Sequence, residues 1–79
     1  MPVVRYFASA RAAAGLSEEV VPAGTLGELR AALVERHGDR IAPVLRVASF
    51  LVDGVVWRDA EAPLPRDGTV DVLPPFAGG

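Results

Sequence analysis

The sequence predicts an α+β fold: a mixed sheet of about five strands with one main helix packed on one face. Three observations lead there. One helix is strongly signalled, between Thr25 and Gly38. Short β-rich segments stand on both sides of it, in the order β, β, α, β, β, β. The first and last of these look apolar on two faces, as adjacent central strands would, and in the arrangement of one helix across a single face of a mixed sheet the last strand lies parallel to the first.

Taken in order, residues 3–8 are β-rich, with Val4, Tyr6 and Ala8 on one face and Val3, Arg5 and Phe7 on the other. That pattern predicts a strand covered at least partly on both sides. Ser9 then offers an N-cap to the helix formers Ala10-Arg11-Ala12-Ala13-Ala14, and Gly15 a stop, so a short helix is expected. Glu18-Glu19-Val20-Val21 reads as a second strand, antiparallel to the first, with its two glutamates guarding an edge.

Thr25-Leu26-Gly27-Glu28 has the form of a capping box, in which Thr25 serves the Glu28 N–H and Glu28 answers the Thr25 N–H. Leu26, Leu29, Leu33 and Ala32 form the buried stripe of the helix that follows, and Arg30, Glu35 and Arg36 its wet side. Gly38 supplies the stop, and His37 sits where a cation favours the helix dipole. Residues 39–46 read as a connection with a helical turn at Ile41-Ala42, interrupted by Pro43. Residues 48–52 and 55–57 form a hairpin about Asp53-Gly54. Pro63 and Pro65 keep residues 59–65 out of any central strand, and Arg66-Asp67-Gly68 turns the chain into the last strand, residues 69–73. One helix across one face of such a sheet, with the chain leaving from its middle, is the β-grasp arrangement.

Composition narrows the function. Seventy-nine residues make one small domain, and 51% hydrophobic residues suffice for a core. Residues 1–73 are expected to form the domain and residues 74–79 a flexible tail. Without cysteine there is no disulfide, zinc knuckle or thiol nucleophile. The lone His37 makes no metal site, and no Ser/His/Asp constellation or phosphate loop is present. A net charge of −2 disfavours nucleic acid and acidic membranes as partners. All eight basic residues are arginine, so no lysine of this chain forms a Schiff base or accepts an isopeptide bond. No apolar run approaches a membrane span and no signal peptide is evident, so a cytoplasmic location is expected.

The segment on which function is expected to turn is Pro74-Pro75-Phe76-Ala77-Gly78-Gly79. The prolines, with fixed φ and no N–H, should hold it extended and out of the sheet. Gly78 and Gly79, lacking Cβ, pass through a channel too narrow for side chains. Fully extended, the six residues reach about 20 Å, enough to place the Gly79 carboxylate in another protein's active site.

With Val4-Arg5-Tyr6-Phe7-Ala8 and Arg11, the Asp53-Gly54 hairpin and the ending Leu73-Pro74-Pro75-Phe76-Ala77-Gly78-Gly79, the chain resembles the ubiquitin-like sulfur carriers of the MoaD/ThiS type, most of all the MoaD family of molybdopterin synthase small subunits. The resemblance covers essentially the whole chain. It implies that an E1-like activating enzyme (MoeB-like) uses ATP and magnesium to adenylate Gly79, that a sulfur donor converts the adenylate to a thiocarboxylate, and that this chain binds no cofactor. It further implies that the tail enters a large, MoaE-like subunit in a heterotetramer and gives sulfur to cyclic pyranopterin monophosphate. Phe7, Trp57 and Leu73 match apolar positions facing that subunit, Phe76 is a fourth anchor, and Arg11 a charged guide. A carrier for thiazole or cysteine synthesis and a ubiquitin-like protein modifier remain open alternatives.

Overall fold

The computed structural model describes residues 1–75. Its elements are β1 (Val3–Tyr6), α1 (Ala8–Ala14), β2 (Glu18–Val20), α2 (Leu26–His37), a 3-10 turn (Gly38–Arg40), α3 (Ala42–Val47), β3 (Ser49–Val52), β4 (Val55–Val56) and β5 (Thr69–Leu73). The strands form one sheet in the order β2-β1-β5-β3-β4. β1 and β5 are parallel neighbours at its centre, with Val4 opposite Val70 and Tyr6 opposite Val72. All other pairings are antiparallel. The expected β-grasp is therefore present, with α2 as its one long helix.

Alternation of side chains about the strands puts Val4, Tyr6, Phe50, Val52, Val70 and Val72 on the helix side, all buried. Leu26, Leu29 and Leu33 of α2 meet them, joined by Ala10, Val21, Ile41, Leu45 and Leu64. Each leucine buried in this way contributes roughly 1.5–3 kcal/mol, so the leucine stripe of α2 is the main hydrophobic tie between helix and sheet.

The N-terminus of α2 shows half of the expected capping box. Thr25 Oγ1 accepts the Glu28 N–H at 3.1 Å, but the Glu28 carboxylate accepts from the N–H of Gly24 at 2.8 Å, one residue upstream of the expected donor. At Gly27 the loop carbonyl of Ala60 accepts the helix's own N–H at 2.8 Å, and an added Cβ would stand 3.2 Å from that oxygen. The glycine is there for close backbone approach.

Several expectations are corrected. β1 stops at Tyr6, because Ala8 turns the chain with φ of +50° into α1, whose N-cap is Phe7 rather than Ser9. Residues 42–47 are a helix rather than a connection, and Pro43 does not interrupt it. Proline in the first turn has no N–H to lose from the ladder and carries a helical φ already. The central strands are apolar on one face only: Arg5 and Asp71 stand opposite each other on the other face. At the hairpin, Asp53 and Gly54 both take positive φ, +48° and +84°, as a two-residue turn of this hand requires. The Asp53 carboxylate also accepts the Thr69 N–H at 2.8 Å, fastening the hairpin to the start of β5.

Candidate functional site

The face of the sheet turned away from α2 is uncovered by any helix. Register lines up one residue from each strand across it: Glu18, Arg5, Asp71, Leu51 and Val56. At the centre of that row Arg5 makes a two-pronged bond to Asp71, Nε to Oδ1 at 2.8 Å and a terminal nitrogen to Oδ2 at 3.2 Å. The carboxylate's hydrogen bond and charge hold the Arg5 guanidinium above its ordinary pKa. The Arg5 guanidinium also lies 5.6 Å from the centre of the Phe7 ring. The Arg5 and Asp71 charges offset each other at the middle of the face, and an apolar margin adjoins them.

That margin lies at the end of the sheet where β5 finishes. Leu73 is the last paired residue, opposite Ser49, and is half-buried. Phe7, also half-buried, is fixed beside it by its backbone. Its N–H donates to Val72 O at 3.3 Å, and its carbonyl accepts from Ala10 at 3.0 Å in the first turn of α1. Arg11 is exposed on α1, its Nε 3.4 Å from Tyr6 O, and shares with Arg5, Phe7 and Glu18 a cleft of about 220 Å³. Phe7 and Leu73 thus stand side by side at the root of the C-terminal segment, and Arg11 lines a cleft with Phe7 on the β2 side.

Other predicted residues are placed differently. Trp57 does not join Phe7 and Leu73. Its N–H bonds to Phe50 O at 2.9 Å, which continues the β3–β4 ladder and turns its side chain to the helix side, where it packs half-buried against the core. Pro75 is exposed, but Pro74 is buried and lies against the domain, so the segment does not leave the body directly after Leu73. Phe76, Ala77, Gly78 and Gly79 lie outside the described residues.

A second group of polar residues ties β2 to α2. Glu19 accepts hydrogen bonds from Tyr6, the ring of His37 and Arg36, whose guanidinium stands 2.8 Å from Oε1. Glu19 is therefore an anchor of the edge strand rather than a guard of it, and His37 is held by a carboxylate more than by the helix end. Burial raises the Glu19 carboxyl, but the bonds from Tyr6, His37 and Arg36 outweigh it and leave the group below its ordinary pKa. Burial, and then the bond to Glu19, push the Tyr6 hydroxyl well above its own. The Arg5–Asp71 pair and the Glu19 group were not foreseen from sequence; the one acid of β5, Asp71, and the Glu18-Glu19 pair of β2 were the only signals. Among the described residues, no three His, Cys, Asp or Glu side chains come together to hold a metal ion, and no helix is long and apolar enough to cross a membrane.

Comparison with known proteins agrees with this fold. The ThiS family profile matches residues 4–79. Subunit 1 of a putative molybdopterin converting factor from Pyrococcus furiosus superposes with a TM-score of 0.79 at 24% identity, over 95% of this chain and 97% of that one. A complex of subunits 1 and 2 of the molybdopterin-converting factor from Helicobacter pylori contains a chain 26% identical, with a TM-score of 0.75 and coverage of 99% and 97%. The small archaeal modifier protein 1 of Methanosarcina acetivorans has a TM-score of 0.83 at 19% identity, with coverage of 99% and 95%. A search of the curated proteins found no match.

Proposed function

Because the chain belongs to the ThiS family, a group of β-grasp sulfur carriers with ubiquitin-like modifiers among its structural neighbours, we propose that it carries sulfur on Gly79 for building the dithiolene of molybdopterin. The observation that carries this reading is the position of the tail's root. β5 is a central strand, and it ends at Leu73, at the edge of an uncovered face that Phe7 also borders. A partner that grips this margin receives the segment that follows. The family match also runs through Gly78 and Gly79.

The chemistry needs an activated acyl group. A carboxylate oxygen is a poor leaving group, so the Gly79 carboxylate first attacks the α-phosphorus of ATP, releasing pyrophosphate and forming an acyl adenylate. A sulfur nucleophile supplied by a donor then displaces AMP and leaves a thiocarboxylate. That sulfur is the nucleophile toward cyclic pyranopterin monophosphate, held by a large subunit of the kind that accompanies subunit 1 in the Helicobacter pylori complex. The proton transfers fall to that subunit, since the described residues place no acid–base pair at the tail's root. ATP and magnesium belong to the activating enzyme.

The modifier reading has one observation in its favour, the fold likeness to small archaeal modifier proteins. One experiment separates the two. The thiocarboxylated chain is mixed with a large subunit and cyclic pyranopterin monophosphate, and dithiolene formation is measured. Stoichiometric sulfur transfer supports the proposal. No transfer, together with lysine-linked adducts of the chain in extracts containing its activating enzyme, assigns it to the modifiers.

A further inference from the structure

A cleft of about 270 Å³ lies on the helix side of the sheet, on the opposite side from Phe7 and Leu73, and no step proposed above uses it. Arg30 of α2, Arg46 of α3 and Arg58 after β4 line it, together with Phe50 and Trp57, and no acidic side chain does. Elsewhere Arg5 is paired with Asp71 and Arg36 with Glu19, and Arg11 and Arg40 reach backbone carbonyls. Among the described residues, none of Arg30, Arg46 and Arg58 makes an ion pair or a side-chain hydrogen bond. Arg30 is instead laid over the Phe50 ring at 5.6 Å, which orients its plane without using its N–H donors. The indole Nε1 of Trp57 is buried and has no acceptor among the described residues.

These observations point one way. A chain of net charge −2 has gathered three uncommitted guanidiniums around one concavity, where they repel one another and focus a positive field. The lining is rich in donors and has no carboxylate to answer them. A ligand that relieves this must be negatively charged and rich in acceptor oxygens. Guanidinium forks match phosphate oxygens in pairs, and three of them from three separate elements favour a ligand with more than one phosphate. We infer that the cleft is a binding site for a small molecule bearing an oligophosphate group. The inference stands on this cleft alone and is independent of the sulfur-carrier reading.

Trp57 is the only tryptophan, so its fluorescence reports the cleft without a label. The full chain is titrated with inorganic pyrophosphate at ionic strength held constant with sodium chloride. The expected result is a saturable change with a Kd below about 1 mM, accompanied by a rise in Tm, because only the folded state binds. Replacing Arg46 and Arg58 together (R46Q/R58Q) should weaken binding at least tenfold. The control pair R40Q/R66Q, which removes as much charge away from the cleft, should leave it within twofold. Circular dichroism checks that both variants keep the fold. A response that does not saturate, that sulfate matches at equal ionic strength, or that R46Q/R58Q leaves intact overturns the inference. So does tighter binding of an oligoglutamate peptide than of pyrophosphate, which would make the cleft a dock for an acidic protein segment.

Discussion

Replacing Glu19 by alanine tests how the edge strand is held to the helix, and its effect is calculable from the three donors it strands. The Arg36 side chain is 39% exposed and returns to water at little loss, in keeping with the small value of exposed ion pairs. Tyr6 is 1% exposed, and its hydroxyl would lose its acceptor inside the domain, a loss of about 1–3 kcal/mol. The His37 side chain, 13% exposed, adds about 1 kcal/mol more. E19A should therefore destabilise by about 2–4 kcal/mol. At about 4–8 °C per kcal/mol for a domain of this size, the Tm falls by roughly 10–25 °C. The assay is urea denaturation and thermal melting of E19A, Y6F and the double variant. With Phe at position 6 there is no hydroxyl to strand, so the double variant should recover about 1–2 kcal/mol relative to additivity. A loss in E19A below about 0.5 kcal/mol, or strict additivity with Y6F, would refute the reasoning.

Other consequences follow from the same contacts. The Glu19 carboxyl is depressed in the folded state, so its contribution is present above the ordinary glutamate value of about 4.3 and is lost as pH falls through the folded value. The Tyr6 hydroxyl is raised, so its contribution holds below about pH 10 and is lost as pH climbs above it. Melting curves at acid and alkaline pH should show both losses; E19A should remove the acid one and only lessen the alkaline one, because burial is the larger cause of the Tyr6 shift. G27A should lower stability by about 1 kcal/mol although alanine is the better helix former, because Cβ meets the Ala60 carbonyl; a higher Tm would show that the loop yields. W57A should cost about 2–3 kcal/mol by unpacking the core, at the lower end for aromatic truncations because the ring is half-buried. L73D should instead leave Tm nearly unchanged and weaken binding of a large subunit at least tenfold by titration calorimetry. An L73D protein that binds normally would remove the tail root from the interface. G79A, or one residue added after Gly79, should melt like the parent yet fail to be adenylated.

What the sequence disclosed and what it withheld divide along the range of the interactions. The capping residue Thr25, the leucine stripe of α2, the Asp53-Gly54 turn and the bounds of β5 are set by neighbours a few residues away, and each stands where the pattern put it. Pro43 misled because the residue that breaks a helix interior also starts a helix well, and only the position of the first turn distinguishes the two. The second face of the central strands misled because Val3 and Phe7 look apolar. The partner of Arg5 lies 66 residues away, and its identity depends on a register that no local pattern fixes. The same holds for Glu19, whose partners come from β1 and from the far end of α2. At the site, Phe7 and Leu73 were named from the family resemblance, and they stand side by side because β1 and β5 are parallel neighbours. Trp57 stands apart from them because its side is decided by the hairpin's pairing, Leu51 with Val56, which carries Trp57 to the side of Phe50.

The account rests on Gly79 as an acyl group that can be activated and loaded with sulfur. The most direct test is the intact mass of the chain after incubation with its activating enzyme, ATP, magnesium and a sulfur donor, followed by peptide mapping. The account predicts a mass gain equal to sulfur replacing one oxygen, confined to the peptide that carries Gly78 and Gly79. An unchanged mass, under conditions that convert a known carrier, would contradict it.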